Sequence, residues 1–279
     1  MDIAGKVLQL KQDFDNVYEA GKSEGLTEGY NNGYSEGVEQ GYEDGYEVGG
    51  KNNQWWLDWF KTKTNINSFF QGSTMTYIPE DIDWSNVITA NNALRGCLNI
   101  QQEYLYLNTT NATILGYLFY QSNCGLKELT INVSSAEDIS GLVGQDCSIK
   151  RVNFIGNCNK VKTSTNMAIW GSLEEIHCYT DETMTEEIPL DLSSNTTTTM
   201  FYNAPQFKHA MFAPQSIKIS MDVGYTSVLD DSTIQSFVDG FADMTGQTAP
   251  TLKVNKKVGE KMTDEQKTTL TAKNVILVY

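Results

Sequence analysis

The sequence predicts an α/β repeat fold: a leucine-rich solenoid of parallel strands with short helices or turns, preceded by an N-terminal helical, glycine-rich stalk. Three observations predict it. Apolar anchors recur about every 24 positions, glycines recur at every fourth position near the N-terminus, and charge is divided unevenly between these two regions. The chain has 279 residues, 35 acidic and 20 basic, for a formal net charge of −15. Residues 1–60 hold 12 acids and 4 bases, or −8, and the rest of the chain carries −7. The N-terminal fifth is therefore a separate physical object.

Its first part is a short heptad seam. Ile3, Val7, Leu10, Phe14 and Val17 are spaced 4, 3, 4 and 3, about two heptads of a coiled coil. The period then changes. Gly21, Gly25, Gly29, Gly33, Gly37, Gly41, Gly45 and Gly49 follow at every fourth residue, mostly succeeded by a large side chain such as Leu26, Tyr30, Tyr34, Tyr42 or Tyr46. A period of four exceeds the 3.6 residues of a helical turn, which favours right-handed winding of paired helices. Glycine at such a contact lets backbones approach. It also forgoes about 1 kcal/mol of helix propensity per residue. Only packing against copies of itself makes the segment helical; the alternative is an extended or disordered linker. Residues 1–50 are read as an oligomerisation stalk, dimeric or trimeric. Residues 51–64, with Trp55, Trp56, Trp59 and Phe60, form an aromatic junction expected to dock on the first repeat.

The repeats occupy the rest of the chain. Phe70, Leu94, Leu118, Leu142 and Met167 are spaced 24, 24, 24 and 25, and the next step, to Met200, is 33. A second column, Leu105/Leu107, Leu129/Ile131, Val152/Phe154 and Ile176/Cys178, is spaced 24, 23 and 24. A unit of this length with Leu-x-x-Leu-x-Leu spacing is a leucine-rich repeat: a short strand, a turn or short helix, and the next strand. One such unit cannot bury its apolar side alone, so stacking supplies the core. The long step implies an insertion containing Asp181–Glu187 and Ser193–Thr199. Residues 65–215 are assigned to the repeats and 216–279 to a C-terminal cap. In the cap, Ile217–Ile219, Leu252–Val254 and Ile276–Val278 are strand candidates. Ser232 is a helix cap candidate, and Thr263 with Gln266 makes a capping box.

Composition excludes several function classes. Excess negative charge disfavours nucleic acid, whose phosphates demand the opposite sign. No apolar run approaches the ~20 residues of a membrane span, and the acidic amphipathic start is unlike a signal peptide. Cys97, Cys124, Cys147, Cys158 and Cys178 are odd in number and lack Cys-x-x-Cys spacing, so buried free thiols are expected. His177 and His209 are the two histidines, which removes most metal and general-base designs. No nucleophile elbow, phosphate loop or zincin motif occurs, so no catalytic, cofactor or metal residue is assigned. Glycan hydrolysis, which needs two carboxylates, is the one enzyme class retained as a minor alternative, with Asp138, Asp146, Glu174 and Glu175 as candidates.

Strand alternation places two rows of side chains on the outward face. One is Tyr104, Glu128, Arg151, Glu175 and His209. The other is Tyr106, Thr130, Asn153, His177 and Met211. Aromatic rings stack on sugars or protein surfaces while amides, hydroxyls and charges bond to them. Tyr104, Tyr106, Glu128, Thr130, Arg151, Asn153, Glu175 and His177 are therefore the ligand-binding candidates. The stalk candidates are Ile3, Val7, Leu10, Phe14, Val17 and the glycines Gly25, Gly29, Gly33, Gly37, Gly41 and Gly45.

The repeat unit resembles the BspA-type leucine-rich repeat proteins. More narrowly, Val17-Tyr-Glu-Ala-Gly-Lys22, the Gly-Tyr tetrads, Trp55-Trp-Leu-Asp-Trp-Phe60 and the segment 237–252 resemble repeat proteins in tail modules of phages and prophages of gut Firmicutes. The likeness covers nearly the whole chain through structural motifs. It implies a virion-associated or cell-surface binding protein: host attachment through the repeats, contacts with other tail or baseplate proteins, a host surface protein or glycan as ligand, and neither nucleic acid nor membrane insertion as partner. A structural tail connector is the alternative.

Overall fold

A computed structural model describes residues 54–279 except 145, 157, 159–171 and 202–203. Residues 1–50, expected to form the stalk, and with them every candidate oligomerisation residue named above, lie outside the described residues, as do the Met167 anchor and the side chains of Trp55 and Trp56. The described chain has α/β character: parallel sheets with few, short helices, and among the described residues no closed barrel.

Four strands, β1 (Tyr104–Leu107), β2 (Glu128–Asn132), β3 (Arg151–Ile155) and β4 (Glu175–Tyr179), pair in chain order, all parallel. Their register matches the sequence columns: Leu105, Leu129, Val152 and Ile176 are partners in turn, and so are Leu107, Ile131, Phe154 and Cys178. These inward positions are all buried.

A second hydrogen-bonded column joins the same units through their turns. Phe70 N donates to Ala93 O, Leu94 N to Leu118 O, and Phe119 N to Leu142 O. Isolated parallel bridges link Asn65, Thr89, Ile114 and Asp138. Left-handed backbone recurs with the same period, at Ser68, Asn92, Tyr117 and Gly141, and again at Gly72, Gly96, Gln121 and Asp146. The units also approach closely. A Cβ on Gly125 would sit 2.8 Å from Ile100 O and 2.9 Å from the Gln101 backbone.

Two buried hydroxyls bond across successive units. Ser122 Oγ donates to Leu94 O at 2.7 Å, and Thr109 Oγ1 to Asn132 O at 2.6 Å. All five cysteines are buried free thiols.

At the N-terminal end, helix α1 (Gln54–Lys61) brings Phe60 against Phe69, Phe70 and Trp84, with ring centroids 5.9, 6.2 and 5.2 Å away. The part of the junction that is described thus packs on the first unit.

At the other end β5 (Met221–Val223), β6 (Thr251–Val254) and β7 (Ile276–Val278) make a second parallel sheet in chain order, with helices α2 (Asp231–Gly240), α3 (Lys256–Lys261) and α4 (Asp264–Ala272). The capping box at Thr263 and Gln266 is present. Three details differ from expectation. Ile217 makes only an isolated bridge to Phe241, and the paired strand begins at Met221, because Ile219 is only half-buried whereas Met221 and Val223 enter the core. The cap of α2 is Asp230, whose carboxylate accepts from Thr233 N at 2.6 Å; Ser232 lies inside the first turn and donates to Asp230 instead. Leu252 pairs with Leu277 rather than with Ile276, so the cap's last strand is shifted by one position from the equal spacing of the segments.

Candidate functional site

The outward rows assemble as strand alternation requires. Tyr104, Glu128, Arg151 and Glu175 are register partners in turn, and so are Tyr106, Thr130, Asn153 and His177. His209 continues the first row through a bridge to Glu175.

The two rows differ in what they can reach. In the second, Thr130 is 1% and Asn153 3% exposed, so neither can meet a ligand directly. This corrects their assignment as binding residues. Asn153 spends its amide within the sheet, donating to Glu128 Oε1 at 2.7 Å and Thr130 Oγ1 at 3.0 Å. Alternation fixes the side of the sheet, but not what later folds over it. Here the segment after β4 returns across that side. Glu182 accepts a hydrogen bond from the Tyr106 hydroxyl three strands away, a span of about 14 Å at ordinary strand spacing. Burial first, and then Glu182, push the Tyr106 phenol up.

The first row remains open. Tyr104 is 48% exposed. Beside it lies a depression of ≈ 220 Å³ lined by Lys127, Glu128, Lys150, Arg151, Glu174, Glu175 and Lys208. Charges of both signs interlock there. Glu175 lies at 2.5 Å from Arg151 Nη2 and 2.8 Å from Lys208 Nζ. Glu174 lies at 2.8 Å from Lys150 and 3.2 Å from Lys208. Burial alone would push Glu175 up, but its bonds from Lys208, Arg151 and His177 outweigh that and bring its carboxyl down to about 2. The hydrogen bond from Lys150 likewise draws Glu174 below the usual range. Four cations against three carboxylates leave this depression locally positive on a strongly acidic chain.

Next to it is a cluster that sequence reasoning missed. The only two histidines converge on one carboxylate: Glu187 Oε1 is 3.1 Å from His177 Nδ1 and 3.4 Å from His209 Nε2. Three elements supply them. His177 is on β4, His209 follows the insertion, and Glu187 pairs antiparallel with Tyr179 as the insertion returns. The rings stack at 4.8 Å and 27°, and Tyr179 stacks on His177 at 6.2 Å and 17°. Each ring's other nitrogen faces a carboxylate: His177 Nε2 faces Glu175 at 3.3 Å, and His209 Nδ1 faces Asp230 at 2.9 Å. The ligating atoms of His177, Glu187 and His209 are close enough together to hold a metal ion. The sequence signal was faint, since the histidines lie far apart in the chain and no ligand spacing is regular.

The cluster and depression lie on a parallel α/β scaffold. Comparison with protein-family models, curated proteins and solved structures gave no match. No helix among the described residues is long and apolar enough to cross a membrane.

Proposed function

We propose that the described units form a leucine-rich-repeat solenoid carried on a self-associating helical stalk, and that the protein is a non-enzymatic, virion tail-associated binder of a host cell surface. One observation carries this reading: the in-register row Tyr104–Glu128–Arg151–Glu175 sets an exposed ring beside a depression of fixed charges. A flat ring offers stacking to a sugar or a side chain, and guanidinium and ammonium groups offer directed bonds to hydroxyls or acids. Self-association through residues 1–50 would multiply a weak contact, because linked sites raise the effective concentration of the second binding event.

The carboxylates support a non-catalytic role. A glycosidase acid needs a raised pKa, and Glu174 and Glu175 are drawn the other way by their cations. Asp138, a third hydrolase candidate, accepts the backbone N–H of Ser140 at 2.9 Å within its own turn.

A tail or baseplate connector is the second reading. It is favoured by the burial of Thr130 and Asn153, which closes much of the second row. Labelled full-length protein, added to cells and wall glycans of the bacterial group that the resemblance implies, tests the first reading. Binding should be saturable and should fall with Arg151→Ala and Tyr104→Ala. Absence of binding, together with capture by purified tail particles, supports the connector. Shortening of a polysaccharide during incubation would contradict both.

A further inference from the structure

We propose that His177, Glu187 and His209 form a divalent transition-metal site of the zinc class, which pins the returning insertion to β4. The proposal is independent of what the outer row binds.

The argument begins with where the protons must be. Glu175 faces Nε2 of His177 and Asp230 faces Nδ1 of His209. An N–H on each of those nitrogens is the favourable arrangement, since a carboxylate accepts and cannot donate when ionised. The remaining nitrogens, Nδ1 of His177 and Nε2 of His209, then carry lone pairs, and both face the same oxygen, Glu187 Oε1. Nδ1 of His177 is buried, and its approach to that oxygen does not have hydrogen-bond geometry. Three electron-rich atoms directed at one small volume repel one another unless a proton or a metal ion lies among them.

The spacing suits such an ion. Zinc takes nitrogen and carboxylate oxygen at about 2.0–2.2 Å in a tetrahedral array, so adjacent ligand atoms lie about 3.3 Å apart. Two of the three edges, 3.1 and 3.4 Å, bracket that value; the third, between the two imidazole nitrogens, is bounded at 4.8 Å, and binding would bring it to the same length. Two imidazoles and one carboxylate suit the zinc class better than magnesium or calcium, which favour all-oxygen shells. Three protein ligands leave a fourth position for water.

The surroundings are those of a metal centre. Ligating histidines commonly give their second nitrogen to a carboxylate, which fixes tautomer and ring orientation. Both do so here, and the two orienting groups are themselves held. Arg151 and Lys208 bind Glu175, and Thr233 N donates to Asp230 at the start of α2. The rings stack at 27°, and a shared ion would turn their planes out of that stack as it drew the two ligating nitrogens together.

The test uses the full-length chain without an affinity tag, freed of metal with a chelator. Calorimetric titration with zinc should show one ion bound per chain, and cobalt should give the visible absorption of a tetrahedral or five-coordinate site. His209→Gln and Glu187→Gln, both close in shape to the native residues, should abolish binding while circular dichroism stays unchanged. Asp230→Asn, which keeps the helix cap, should weaken affinity by about 10–100-fold without removing the ion. Absence of heat and of cobalt absorption in folded wild-type protein would overturn the proposal. So would undiminished binding in a folded chain carrying both His177→Gln and His209→Gln.

Discussion

His177 and His209 stack with ring centroids 4.8 Å apart, although they belong to segments on either side of a long insertion. The contact exists because the chain between Tyr179 and His209 leaves the sheet and returns to it. After β4 the chain leaves the sheet, sends Glu182 back to Tyr106, returns through Glu187 beside Tyr179, and re-enters register at His209 beside Glu175. An insertion that could have been a free loop is thereby held at both ends.

The inward column should carry stability and the outward row should not. Leu129 is fully buried at the centre of the first sheet, so Leu129→Ala should lower unfolding free energy by about 2–5 kcal/mol. Tyr104 is 48% exposed. Tyr104→Ala should change stability by no more than about 0.5 kcal/mol. Urea denaturation of the two variants measures the contrast.

Gly125 marks a close approach of two backbones between successive units. An added methyl would meet the backbone of Ile100 and Gln101 rather than the end of a flexible side chain. Gly125→Ala should therefore destabilise by about 1–3 kcal/mol despite alanine's smaller conformational entropy loss. Gly246→Ala serves as the comparison: its Cβ would meet open space, so its cost is that of left-handed backbone alone.

Lys273 closes the C-terminal end of α2. Its ammonium donates to Val238 O and Phe241 O at 2.8 Å and to Asp239 O at 3.1 Å. Lys273→Met keeps much of the stem and removes the donors, and should cost about 1–3 kcal/mol by leaving those carbonyls without the ammonium. A lowered thermal midpoint with unchanged secondary structure is the expected signature.

The buried thiols predict a pH dependence. Burial pushes Cys147 from 9.0 up to about 12, and a hydrogen bond with the Cys158 thiol, together with burial, raises Cys178 well above 9.0. Between those limits the unfolded thiol ionises while the folded one keeps its proton. The folded state then binds more protons, and stability falls as pH rises from about 9 towards 12. Each such group contributes a slope of at most about 1.4 kcal/mol per pH unit. Below pH 9 the native protein should leave all five cysteines unreactive towards a thiol reagent, and denaturant should expose all five.

The period was legible because two columns of different residues repeat together, and each is fixed by one force. Burial selects Leu129, Val152 and Ile176, and the strand ladder then aligns them in the register their spacing predicts. The capping box at Thr263 was equally legible, since its chemistry is confined to four consecutive residues. Asp230 was overlooked as a cap because Ser232 is an equally good capping type, and only the backbone entering the helix decides between them. Thr130 and Asn153 were rightly assigned to the outward side, but their burial depends on what folds over that side later in the chain. The histidine cluster was illegible for the same reason. Its parts lie on three elements, and the count of histidines says nothing about their convergence.

The most direct test of the whole account is the register itself. Parallel partners stand about 4.8 Å apart, within the range of about 4.4–6.8 Å in Cα separation that a disulfide spans, whereas residues two strands apart are about 10 Å away. Tyr104 and Glu128 are register partners, and Arg151 lies one strand further on. Under mild oxidation the full-length chain carrying Tyr104→Cys and Glu128→Cys should form an intramolecular disulfide, and the chain carrying Tyr104→Cys and Arg151→Cys should not. A cross-link in the second chain, or none in the first, would contradict the stacking of successive repeat units edge to edge.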